Sequence, residues 1–165
     1  MTYNPAASGG FTYEYAILVN STSNASDLAT VASTWTQYPL NLSTYSDLTG
    51  ASFASLPVFT LGEGNYVLQF VGTCSQNTRW MRHRLYNVSD TTAVAYGLGR
   101  TSAVNNWAPY TKLCWFLEVP AGGKNYQIDY FASVASSYGL GSKTKDVADP
   151  WGTRQYGSLQ IARRS

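Results

Sequence analysis

The sequence predicts an all-β domain, a sandwich or barrel of short strands. Three observations carry that expectation. Aromatic residues make up 15% of the 165 residues, with 13 Tyr, 5 Trp and 6 Phe, and such side chains favour pleated, half-buried surfaces. Charged residues are only 12%, too few to clothe the outer faces of a helical bundle. About eight to ten short apolar runs recur at regular spacing between Gly, Pro, Asn and Ser clusters, the pattern of an all-β chain.

Each element follows in order. Residues 1–10, MTYNPAASGG, are small and polar and read as an N-terminal arm; residues 11–165 read as a single domain. FTYEYAILV (11–19) is a strand by its aromatic and β-branched content. Residues 20–34 form a Ser/Thr/Asn tract read as a loop, and 35–56 read as short strands and turns around Pro39 and Gly50. PVFTL (57–61) is a short strand, and GEGN (62–65) a turn that uses glycine's access to positive φ. In YVLQFVGTC (66–74), Tyr66, Leu68 and Phe70 share one face and Val67, Gln69 and Val71 the other. Both faces are largely apolar, so this strand is expected to lie buried between layers. WMRHRLYNV, AVAYGLG, KLCWFLEV, NYQIDYFASV and YGSLQIARR complete the strands, separated by SDTT, NNWAP, PAGGK and SSYGLGSKTKD.

Composition narrows the function. The hydrophobic fraction is 44%, and a chain this long buries roughly 70% of its unfolded surface without metals or disulfides. The formal net charge of +2 is too small for a nucleic-acid partner read on charge. Residues 1–78 carry no Lys or Arg and four acids (Glu14, Asp27, Asp47, Glu63), a charge of −4; residues 79–165 hold all eleven Lys and Arg against five acids, a charge of +6. Strands from both halves mixed in one sheet would blur this asymmetry; a basic patch would express it. No run approaches 18 apolar residues, so no membrane partner is expected. The N-terminus has no signal-peptide pattern. Folding in a cytoplasm is therefore expected, with Cys74 and Cys114 as unbridged thiols and the Asn-x-Ser/Thr sites at Asn20, Asn24, Asn41 and Asn87 incidental.

No cofactor, metal or catalytic residue is expected. His83 is the only histidine, and the two cysteines lie 40 residues apart, unlike the clustered ligands of a zinc site. No G-x-S-x-G turn or paired acids can be placed. The densest charge run is Arg79-Trp80-Met81-Arg82-His83-Arg84. On a strand, Arg82 and Arg84 share a face with Tyr86, while Met81, His83 and Leu85 point the other way. Arg79, Arg82 and Arg84 are candidate surface-binding residues for phosphate, a carboxylated sugar or a partner's acids. A charged edge strand that resists aggregation is an equal reading.

A longer pattern joins these runs. It comprises Trp35, Thr36, Gln37, Leu40 and Asn41; then Phe59, Thr60, Leu61, Gly64 and Tyr66; then Arg82-His83-Arg84-Leu85-Tyr86-Asn87-Val88-Ser89-Asp90; then Phe116, Gly123, Lys124, Tyr126, Ile128 and Tyr130; and finally Leu159 and Ile161. The pattern resembles the jelly-roll domains at the ends of phage tail fibres and in other phage virion proteins, themselves similar to the tumour-necrosis-factor and complement globular-head fold. It spans roughly residues 34–163, and Arg-Leu-Tyr-Asn-Val-Ser-Asp (84–90) is its most specific part. Tyr38 stands where the pattern has Arg, residues 74–80 differ from its apolar stretch, and Ala162-Arg163-Arg164 replace its closing Trp and acid.

The resemblance implies a two-sheet jelly-roll sandwich and a homotrimer. Candidate threefold-interface residues are Tyr66, Phe70, Tyr126, Tyr130 and Phe131. It further implies a virion structural protein assembled in the host cytoplasm and partnered by itself and by a major capsid or other virion protein. A capsid decoration (cement) role is expected first, because the chain reaches the jelly roll almost at once; the N-terminal arm, with Tyr3, Asn4 and Pro5, is the candidate anchor. A tail-fibre or head-fibre tip that recognises host surface glycan is the alternative.

Overall fold

The computed structural model describes residues 13–22, 29–73, 80–101, 110–136, 140 and 154–164. They form eleven strands: β1 (Tyr13–Thr22), β2 (Trp35–Gln37), β3 (Leu42–Ser46), β4 (Phe59–Leu61), β5 (Gly64–Thr73), β6 (Trp80–Asn87), β7 (Thr92–Tyr96), β8 (Arg100–Thr101), β9 (Tyr110–Val119), β10 (Lys124–Ala132) and β11 (Arg154–Arg164). No helix occurs among the described residues. The candidate anchor Tyr3, Asn4 and Pro5, and the candidate binding residue Arg79, lie outside them.

The strands build two antiparallel sheets. One runs β3-β1-β11-β5-β9; the other runs β2-β10-β6-β7, with β4 also on β10 and β8 also on β6. Each sheet draws strands from both halves of the sequence, so acid and base meet: Arg163 of β11 pairs with Glu14 of β1 at 3.4 Å. Arg163 also donates to the carbonyls of Thr49 and Glu63, tying two loops to the end of the sheet.

The core lies between the sheets. Leu18, Leu68, Phe70, Leu159 and Ile161 from one sheet face Phe59, Leu61, Met81, Leu85 and Ile128 from the other, and all are buried. β1 extends three residues beyond the expected strand because Asn41 fastens it. Its Oδ1 accepts from Ser21 N and its Nδ2 donates to Ser21 O, while Asn20 Nδ2 donates to Pro39 O. Tyr38, the departure from the resembled pattern, is fully buried, and its hydroxyl donates to Tyr156 O at 2.9 Å. Burial alone pushes its phenol upward in pKa. Gly157 makes room for it, since a Cβ there would overlap the Tyr38 ring and hydroxyl.

One expectation is corrected. β5 is not covered on both faces: Tyr66, Leu68 and Phe70 are buried, while Asn65, Val67 and Gln69 are exposed. Among the described residues, only one layer packs on this sheet, so its outer face is open despite its apolar residues.

Candidate functional site

The Arg84–Asp90 motif decides what the six-stranded sheet can do. β6 pairs with β10 so that Arg84 lies opposite Asp129. Arg84 Nε and a terminal nitrogen both reach Asp129 Oδ2 at 2.8 Å. The guanidinium carbon sits 4.5 Å from the Trp35 ring and 4.4 Å from the Tyr86 ring. Asp129 Oδ1 accepts from Gln127 Nε2, and Gln127 Oε1 accepts from Gln37 Nε2. Arg84 is thus neutralised and sandwiched; it is a structural tie across three strands and not an open anion site, which corrects the surface-binding expectation for this residue. The rest of the motif closes the β6–β7 turn. Asn87 Nδ2 donates to Asp90 Oδ2, Asp90 N donates to Asn87 Oδ1, and Lys124 Nζ donates to Asp90 Oδ1. Thr91 follows at φ 52°, a conformation uncommon for a β-branched residue and held here by those contacts.

Arg82 behaves differently. It lies opposite Phe131, not a carboxylate. Its Nε donates to Gly97 O at 2.9 Å and its guanidinium carbon is 4.7 Å from the Tyr96 ring centre. Around it, Trp35 meets Tyr96 at 5.7 Å and Phe131 at 5.6 Å, and Trp80 meets Phe131 at 5.7 Å.

Four of the five candidate threefold-interface residues lie in the core of the single chain. Tyr66, Phe70, Tyr126 and Tyr130 are at most 2% exposed within the single chain, so their side chains have no surface to give another copy. Phe131 is half-buried, but on the outer face of the six-stranded sheet between Trp35 and Trp80. The aromatic type and the strand parity were legible; which face the second sheet covers was not.

Exposed aromatic surface lies instead on the outer face of the five-stranded sheet. Register aligns Tyr15, Ala162, Val67 and Phe116 in one row across β1, β11, β5 and β9. Phe116 is 79% exposed, and Tyr13, Tyr15, Tyr45 and Leu42 are exposed on the same sheet. A groove of about 500 Å³ runs along this face, bordered by Tyr13, Asn65, Val67, Phe116, Glu118 and Arg164. Cys114, a free exposed thiol, lies on β9 two residues from Phe116. The sequence signal was apolar residues at both parities of β5 and β9.

Titratable groups elsewhere are engaged in structure. Glu14 accepts from Thr49 N and Oγ1, which with nearby Arg163 hold its carboxyl below the usual range. Asp47 is held low by hydrogen bonds from Tyr15 N and the Tyr45 hydroxyl. His83 is fully buried, with Nδ1 on Thr111 Oγ1 and its ring packed against both Tyr38 and Phe70, which also touch each other.

Solved structures share this architecture. Murine APRIL matches in structures determined at pH 8.5 and pH 8.0, with TM-scores of 0.56 and 0.58; each is 14% identical and covers 92% of this chain and 99% of that one. The globular domain of zebrafish complement 1qA protein matches with a TM-score of 0.54 and 11% identity, over 90% of this chain and 94% of that one. At such identities the likeness is one of fold: the jelly roll of tumour-necrosis-factor and complement globular-head domains. No protein-family model matches the sequence, and no curated protein does.

Proposed function

We propose that this chain is a non-catalytic, homotrimeric virion structural protein, a decoration protein that stabilises a phage capsid. The observation that carries self-association is the open apolar face of the five-stranded sheet. A solvated antiparallel sheet alternates apolar-in and polar-out, whereas here Tyr15, Val67 and Phe116 stand outward in one row. Apolar rows of this kind mark interaction sites. The phage setting is supported by the Arg84–Asp90 pattern, and a trimer that touches several capsid subunits at once gains avidity from linked sites.

Two expected results test the proposal. Sedimentation equilibrium should give about three times the 18.0 kDa chain mass, and Cys114 should resist alkylation in the assembled form. Phe116→Asp removes about 2 kcal/mol of apolar burial per chain and adds a carboxylate to desolvate, so it should yield folded monomer with a reactive Cys114. A wild-type monomer at micromolar concentration would overturn self-association. On particles, removal of the protein should lower the temperature of DNA release while adsorption to host cells persists.

A second reading is a fibre tip that recognises host glycan. The aromatic rings around Arg82 on the opposite sheet favour it. It predicts the reverse particle result, with normal capsid stability and failed adsorption.

A further inference from the structure

Trp35 and Tyr96 belong to β2 and β7, which are separated by β10 and β6 in the sheet. Three strand spacings amount to roughly 14 Å, yet the two rings approach to 5.7 Å. Both side chains therefore lie along the sheet surface instead of standing away from it. Trp35 spans Arg84 and meets Phe131 at its side. The result is a broad aromatic floor with polar amides of Gln37 and Gln127 at its margin.

Two arginines reach this floor, and only one is neutralised. Asp129 takes the charge of Arg84. Among the described residues, no carboxylate lies within ion-pair distance of Arg82. Arg82 is nonetheless held, at Nε by the Gly97 carbonyl and on its plane by the Tyr96 ring. A cation already fixed in place loses little side-chain freedom when it binds, and guanidinium pairs with carboxylate through two parallel hydrogen bonds. One uncompensated cation is too little for a polyphosphate backbone, whose binding scales with the number of charges neutralised. It suits a ligand that brings one carboxylate together with a flat C–H surface for the rings and hydroxyls for the amides.

We infer that the outer face of the six-stranded sheet binds an acidic saccharide, with its carboxylate on Arg82 and its pyranose ring against Trp35 and Tyr96. The inference rests on the glycan reading above and narrows it to sugars of one charge type at one named residue.

Titration calorimetry on the whole protein tests it with two matched pairs of probes: a galacturonic-acid hexasaccharide against its carboxyl-reduced neutral form, and sialyllactose against lactose. In at least one pair the acidic member should bind roughly tenfold or more tightly than the neutral one, as one charge-assisted contact implies. Arg82→Gln should abolish that preference while the protein remains folded, its melting temperature lowered by no more than a few degrees. Tyr96→Ala should weaken the acidic probe, and Lys112→Gln, an exposed cation of the other sheet, should change nothing. Equal affinity for acidic and neutral probes overturns the acidic inference and leaves the glycan reading standing. Competition by acetate as strong as by the saccharide overturns it in favour of a simple anion site. Absence of binding by all four probes overturns the inference and the glycan reading together.

Discussion

Acidification from pH 7 to pH 4 is expected to cost the folded chain about 3 kcal/mol through His83 alone. The ring is enclosed by Tyr38 and Phe70, Nε2 has no hydrogen-bond partner, and Nδ1 meets Thr111 Oγ1. Thr111 Oγ1 also lies 3.3 Å from Gly72 O. One proton arrangement satisfies this chain. Neutral His83 donates from Nδ1 to Thr111, Thr111 donates to Gly72, and Nε2 remains a bare acceptor. A proton on Nε2 would be a buried, unpartnered donor, so burial depresses the imidazole from 6.5 to about 3. Below pH 6.5 the unfolded chain takes up a proton that the folded chain refuses. Stability is therefore complete above pH 6.5 and is lost steadily as the pH falls toward 3, at about 1.4 kcal/mol per pH unit. Urea unfolding at pH 7 and pH 4 measures it. His83→Phe, which keeps the ring and cannot titrate, should flatten the pH dependence by about that 3 kcal/mol. An unchanged pH dependence in the variant would place the acid sensitivity elsewhere.

Asp129→Ala should be the other severe change. Asp129 is 3% and Arg84 16% exposed at the side chain, so removal of the carboxylate strands a buried cation and the Gln127 amide. Breaking such a pair costs about 3–5 kcal/mol, whereas replacing both partners with apolar groups is far milder. Chemical denaturation of Asp129→Ala, Arg84→Met and the double variant Arg84→Met/Asp129→Leu should show the double variant more stable than Asp129→Ala. A loss under about 1 kcal/mol for Asp129→Ala would mean that the pair is effectively solvated.

The same two arginines show how far the sequence was legible. Arg82 and Arg84 are two residues apart, share a strand face and read alike. Their fates separate because β10 sets Phe131 against one and Asp129 against the other. That register joins residues 45 apart in sequence, and no local pattern encodes it. The sandwich itself was legible because turn chemistry and strand composition are local. β8 was not, being only two residues long, with pairing supplied by β6. The burial of four candidate interface aromatics was hidden for a related reason. Tyr66 and Phe70 look like Phe116 in composition, and only the side of the sheet that the second layer covers tells them apart. The Arg84–Asp90 motif pointed to a real feature, a neutralised tie followed by a locked turn, but its specificity serves architecture.

The position of β11 has a consequence during biosynthesis. This strand sits between β1 and β5, pairing Tyr13 with Arg164 and Gly72 with Gly157. On a ribosome adding about 5–20 residues per second, β1 and β5 emerge early and wait for their shared partner. For Tyr13 the delay covers roughly 150 residues, or about eight to thirty seconds at those rates. Until then two long strands with apolar residues on both faces have unpaired edges in a nascent chain. Completion of the sheet therefore waits for β11, and chaperone occupancy on β1 and β5 should govern how much of each newly made chain reaches the native state.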